Sequence, residues 1–264
     1  MSSTTRWALA AVAMIAAAEG AQAQGMQMVG LTADNMLVRI DAEARRATAP
    51  VRITGADGRV LGIDQRPQDG KLYGVTERGQ IVTLDPASGR AAEVSRLNVP
   101  FESGGRAVVD FNPAADRLRL MGMNGTNLRV NVQTGEAVRD GQLKYQAGGQ
   151  MAEVTPRVTA GAYTNSMQGA TATALYTFDT LAGTYNLQAP PNDGVQQPKG
   201  SLGTATLPPG IAFDILSDGA GGNRGLALAG TGLHAVNLET GALTPLGPVA
   251  GLPAAEILDI AAMR

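Results

Sequence analysis

Short apolar runs alternate with polar positions along almost the whole chain, and they stop at Gly, Pro, Asp or Asn. Period-two alternation bounded by turn residues predicts strands and hairpins. Residues 60–94 show it most clearly. There the first strand ends at Asp64, the second centres on Leu72, Tyr73 and Gly74, the third runs from Gln80 to Leu84, and the fourth follows the turn at Gly89. The same order recurs about every 45 to 55 residues, the signature of blades or solenoid coils. A second copy holds D-F-N-P at Asp110, whose D-x-x-P matches Asp64 and Pro67. A third starts near Val158 and contains L-Y-T-F-D and T-Y-N-L-Q. A fourth starts at Ile211 and holds G-L-A-L-A-G and G-L-H-A-V-N.

The two chain ends complement each other. Residues 28–41 match strands two and three of the unit with strand one missing, and the C-terminal E-I-L-D-I-A-A-M-R matches strand one alone. Joined, they make a fifth unit, which is how a propeller closes without leaving an open sheet edge. The prediction is an all-β fold: a β-propeller of five four-stranded blades, the first closed by the C-terminal strand. A six-bladed propeller and an irregular sandwich are the alternatives.

Composition narrows the setting. Arg6, the apolar stretch 7–18 and A-Q-A at Ala21, Gln22 and Ala23 fit a secretory signal over residues 1–23, with one β-propeller domain over 24–264. The apolar run is about 12 residues, short for a bilayer span, so export to the periplasm or beyond and no membrane span after cleavage are expected. With no Cys, the folded protein relies on packing and not on disulfides. A formal charge of -2 with both signs mixed argues against nucleic acid as a partner. The only Trp lies in the signal stretch, which weakens a sugar-stacking role.

The same composition excludes chemistries. Cysteine catalysis and zinc–thiolate sites need a residue the chain lacks, and a single His, His234, rules out a multi-His metal site. No G-x-S-x-G elbow accompanies His234, which reads as a structural imidazole in a strand. The Gly-rich run 218–225 lacks phosphate-loop spacing and reads as a loop.

Two polar constellations remain. Asp64, Asp110, Asp214 and Asp259 fall at or near the end of strand one in their units, the strand that lines a propeller channel. Crowded carboxylates take up protons or recruit a cation, and oxygen ligands suit Ca²⁺ or Mg²⁺. The competing expectation is that these Asp bond backbone N–H groups in the following turn. In the Asp110 copy, Arg117 and Arg119 share one strand face, and Asn127, Arg129 and Asn131 share a face of the next strand. Together they form either an anion site or a polar network with Asp110 and Asp116 that locks one blade to its neighbour.

The stretch D-F-N-P-A-A-D-R-L-R-L-M-G-M-N-G-T-N-L-R-V-N-V-Q-T-G, with G-I-D-Q-R-P, G-K-L-Y-G-V, A-Y-T-N-S-M-Q-G-A-T-A-T-A-L-Y and P-P-N-D-G, resembles the bacterial family called domain of unknown function 4394. The resemblance spans about residues 29–262 and implies an exported β-repeat protein with no established activity or catalytic residues. The functional expectation is a non-enzymatic binding or scaffold module whose partner is an unidentified protein or small molecule. A Ca²⁺- or Mg²⁺-dependent hydrolase of lactonase or phosphatase type is one alternative. A purely structural cell-surface protein is the other.

Overall fold

Each alternating run becomes a strand, because its apolar side chains fall on one face and are buried against a neighbouring sheet. The computed structural model of the chain describes residues 26–202 and 210–264. The first strands are β1 (Gln27–Thr32), β2 (Met36–Asp41), β3 (Arg46–Ala47) and β4 (Val51–Arg52). A second group is β5 (Val60–Gln65), β6 (Leu72–Thr76), β7 (Gln80–Leu84) and β8 (Ala91–Arg96). The third is β9 (Ala107–Asn112), β10 (Arg117–Gly122), β11 (Asn127–Val130) and β12 (Ala137–Arg139). Next come β13 (Lys144–Tyr145), β14 (Ala160–Tyr163), β15 (Leu175–Asp179), β16 (Thr184–Gln188) and β17 (Val195–Ser201). Last are β18 (Ile211–Ser217), β19 (Asn223–Ala229), β20 (Gly232–Val236), β21 (Leu243–Pro248) and β22 (Ile257–Met263).

These strands make five sheets in the order β22-β1-β2-β3, β5-β6-β7-β8, β9-β10-β11-β12, β14-β15-β16-β17 and β18-β19-β20-β21. The innermost strands touch in a closed circle, β22 to β5 to β9 to β14 to β18 and back to β22. The fold is a five-bladed β-propeller. Its first blade pairs the C-terminal strand with the first, Gln27 opposite Met263 and Gly30 opposite Ile260, as the complementary ends predict. Among the described residues no helix is long and apolar enough to cross a membrane. The predicted signal lies outside the described residues.

Five apolar clusters fill the seams between blades. Ile63 and Leu37 meet between blades one and two, and Tyr73 and Leu120 between two and three. Val108 and Leu175 meet between three and four, Phe178 and Phe213 between four and five, and Leu226 and Ile40 between five and one. Burying each such side chain contributes about 1.5–3 kcal/mol, so the seams supply the ring's cohesion.

The recurrent Asp or Asn before a Gly has a local cause. Asp85 accepts the N–H groups of Ala87 and Ser88, and Asn237 accepts those of Glu239 and Thr240. Each closes the turn between strands three and four of its blade. Gly89, at φ 73°, ends one such turn where a Cβ would collide with the Arg52 carbonyl of the preceding blade. Blade four departs from the pattern. Its outer connection is a 3₁₀ turn at Pro191–Asp193, and β13 adds a parallel strand beside β17. The alternating pattern gives no signal for a two-residue strand of this kind.

Candidate functional site

The channel wall follows from the inner strands. Asp64 on β5, Asp110 on β9 and Asp214 on β18 are buried, and their carboxylate oxygens lie within 4.8 Å of one another. The inner strands of adjacent blades do not pair, so their N–H groups need other acceptors. Asp64 accepts from Phe111 of the next blade at 2.7 Å and from its own neighbour Gln65 at 2.7 Å. Asp110 accepts from Tyr163 at 2.9 Å. Asp214 accepts from Ala262 at 2.5 Å and Ile215 at 2.6 Å. Asp259 repeats the motif with Ile63 at 2.9 Å and Ile260 at 3.0 Å. The four carboxylates therefore staple blade one to two, two to three, three to four and five to one. They do bond backbone N–H groups, as the competing expectation holds, but along their own strand and across the seam, not in the following turn.

The bonds also set the depth of each residue. The donor is the residue after the ring position of the next blade: Phe111 follows Asp110, Tyr163 follows Ala162, and Ala262 follows Ala261. Blades four and one thus place Ala162 and Ala261 at the level of the three Asp. Asp259 sits two residues earlier on β22 and does not join the trio. The other end of the channel is capped by Arg106, which donates to the Leu258 carbonyl at 2.7 Å and pairs with Glu256. No periodic signal marks this cap, because Arg106 precedes its strand.

Burial raises the carboxyls at both levels. Burial pushes the Asp64 and Asp110 carboxyls well above the usual carboxylate range, and neighbouring carboxylates push further. Burial raises Asp214 to about 6. Asp259 is also raised well above the usual range by burial, with Asp214 adding to it; the Ile63 and Ile260 N–H groups and, least, Arg106 pull in the other direction. Three buried carboxylates at this spacing cannot all carry charge without a cation, and oxygen donors suit a hard one. Beyond them the channel opens into a cavity of about 190 Å³ with Asp64 and Asp214 in its wall and Arg66, Gln168 and Arg264 around it.

The second constellation resolves differently. Arg119 is 2% exposed. Its fork donates to Asp140 at 2.7 Å, to the Asn127 side-chain oxygen at 2.8 Å, to Asn192 at 2.8 Å and to the Tyr163 hydroxyl at 3.1 Å. Arg129 reaches the same Asp140 oxygen at 2.7 Å. Arg119, Asn127 and Arg129 thus converge and tie blade three to blade four. Arg117 is exposed and bonds the Asp116 carbonyl, while Asn131 closes the next turn through the Gln133 N–H. Neither joins the cluster. The carboxylate that organises it is Asp140; Asp110 faces the channel, and Asp116 pairs with Arg66 at 2.5 Å. A signal for Asp140 exists only in its place at the end of the outer strand of the Arg-bearing blade.

Of the remaining residues, His234 is half-buried with Nδ1 3.0 Å from the Gly232 carbonyl. Asp218 accepts the N–H groups of Ala220 and Gly222 and shapes the Gly-rich stretch into a hairpin turn.

The family model described as Domain of unknown function (DUF4394) matches residues 21–261. The chain belongs to this family. Among curated proteins, none matches the sequence. The solved structures similar to this DUF4394 protein include a structural genomics protein of unknown function from Bacteroides thetaiotaomicron VPI-5482. It is 16% identical, with a TM-score of 0.55, over 90% of this chain. The chain spans 62% of that protein's length. A protein of unknown function from Bacteroides caccae is 12% identical, with a TM-score of 0.43, over 84% of this chain and 73% of its own. The likeness to the first is one of fold.

Proposed function

We propose that this DUF4394 protein is an exported, non-enzymatic binding module whose channel carboxylates hold the blades in register and whose ligand is taken on the face around the open channel mouth. The observation that carries this reading is the bonding of the carboxylates. Asp64 and Asp214 each commit one oxygen to their own strand and the other to the next blade. Groups so committed are placed for holding blades together and less well for activating water. Export rests on Arg6, the apolar stretch 7–18 and A-Q-A at residues 21–23.

A second reading has its own support. The 4.8 Å convergence of three carboxylates beside a cavity is geometry that a Ca²⁺- or Mg²⁺-dependent hydrolase uses. Thermal unfolding followed by circular dichroism, with EDTA and then with Ca²⁺ or Mg²⁺, separates the two. A ligand that binds only the folded state raises the midpoint. The binding-module reading expects no shift that depends on Asp110 or Asp214. A rise with Ca²⁺ that disappears in Asp110→Asn, together with turnover of a lactone or phosphate ester, would replace it with the hydrolase.

A further inference from the structure

The seams of the propeller treat their cations in two ways. Between blades two and three, Arg66 is 5% exposed and pairs with Asp116 and Asp69. Between blades three and four, Arg119 pairs with Asp140. Between blades one and two, on the face where the channel opens, a groove of about 830 Å³ holds three cationic side chains: Arg39 of blade one, and Lys71 and Arg90 of blade two. Among the described residues none of the three forms a salt bridge. One carboxylate, Asp85, also lines the groove and interacts with Arg90, so the cations outnumber it and Arg39 and Lys71 in particular are available to a ligand. The volume lies within the range of small-molecule sites, about 300–1,000 Å³.

The groove is not isolated. Gly70 lines both it and the cavity above Asp64 and Asp214, and Met263 lines both it and a third hollow of about 680 Å³ that reaches Arg264. The three hollows therefore form one trench running from the channel mouth out along the seam. Its cationic stretch has an apolar floor in which Pro86, Ala91 and Met263 are partly exposed, while Leu72 and Leu84 lie buried beneath them. A purely inorganic anion would leave that floor wet, and a neutral lipid would leave the cations unmatched.

We infer that the trench binds an organic anion carrying an apolar chain, its head group held by Arg39, Lys71 and Arg90 and its chain laid along Pro86, Ala91 and Met263. This inference rests on the binding-module reading and names the ligand class that reading leaves open.

Isothermal titration calorimetry of the purified protein with octanoate, 1-octanol and acetate tests it. The expected result is saturable one-to-one binding of octanoate, with octanol and acetate each weaker by about tenfold or more. The doubly substituted Arg39→Gln/Lys71→Gln protein should lose about tenfold in octanoate affinity, while Arg59→Gln/Arg117→Gln, two exposed cations elsewhere, should bind as the parent does. Circular dichroism of each variant confirms that the fold is kept. Absence of octanoate binding, or equal binding by the Arg39/Lys71 variant, overturns the proposal. Octanol binding as tightly as octanoate overturns the anionic class alone and leaves a binding module. Turnover of p-nitrophenyl octanoate that Asp110→Asn abolishes overturns the module reading and keeps the trench as the place where the chain is held.

Discussion

Charge is buried in two places in this propeller, and the two are built on opposite terms. In the Arg119 network one carboxylate, Asp140, faces two guanidinium groups. In the channel three carboxylates face one another, and the donors bonded to them are backbone N–H groups. A buried charge is tolerated when an opposite charge and hydrogen bonds replace its lost water. The network meets that condition within the chain. The channel meets only half of it, so it holds protons or a cation. N–H bonds alone do not decide the matter. Exposed Asp85 also accepts two N–H bonds, and they hold it below the usual carboxylate range, whereas Asp214, with two of its own, is raised to about 6.

The sharpest way to break the comparison is to remove the balancing charge from the network. Arg119→Met leaves Asp140 buried with only the half-exposed Arg129 and should cost about 3 kcal/mol in urea unfolding, near the lower end for a broken buried pair. A loss below about 1 kcal/mol would mean that the network contributes little to stability.

Next in size is the pH dependence of the channel. The folded-state values of Asp64, Asp110 and Asp214 are raised. Their contribution to stability is thus fully present below the unfolded value of 3.8 and is lost as pH rises through the folded values. For Asp214 that window runs from 3.8 to about 6, which amounts to about 3 kcal/mol. Thermal midpoints should fall between pH 4 and pH 8, and Asp214→Asn should flatten much of the slope. Asp57, Glu77 and Asp85 act with the opposite sign, because their values are lowered and their contribution is lost only as pH falls through the acid range.

A smaller effect distinguishes the two ends of the channel. At pH 8, Asp110→Asn removes a like charge from the trio and should raise the midpoint by about 3 °C, the scale of a 1 kcal/mol gain in a chain of this size. Asp259→Asn should raise it less, since the Ile63 and Ile260 N–H groups and Arg106 offset part of the charge there. The smallest change is expected for Asp85→Ala, which removes a turn bond at the exposed rim and leaves the profile between pH 5 and pH 8 unaltered.

Most of the fold was legible, because strand, turn and closure are local or repetitive signals. The third strand of blade two spans Gln80–Leu84, L-Y-T-F-D is β15, and the two termini pair as their patterns require. The site was legible only in part. The position of Asp at the inner strand marks a channel residue, but depth within the channel depends on register between unpaired strands, so Asp259 looked equivalent to the other three. Arg119 and Arg129 were visible as a pair on neighbouring strands, while their partner Asp140 and the bracing Asn192 come from connections whose course no periodicity encodes. The groove cations Arg39, Lys71 and Arg90 lie in two neighbouring blades and line one groove only through the packing of those blades side by side.

The most direct test of the central claim is carbon-13 NMR of protein labelled at the Asp carboxyl carbons, titrated from pH 4 to pH 8 in EDTA. At least one Asp carboxyl of the native protein should still carry a proton at pH 6, and its signal should vanish in Asp110→Asn. If every Asp carboxyl is fully ionised by pH 5 in the folded, metal-free protein, the channel is charge-balanced after all and the contrast with the Arg119 network fails.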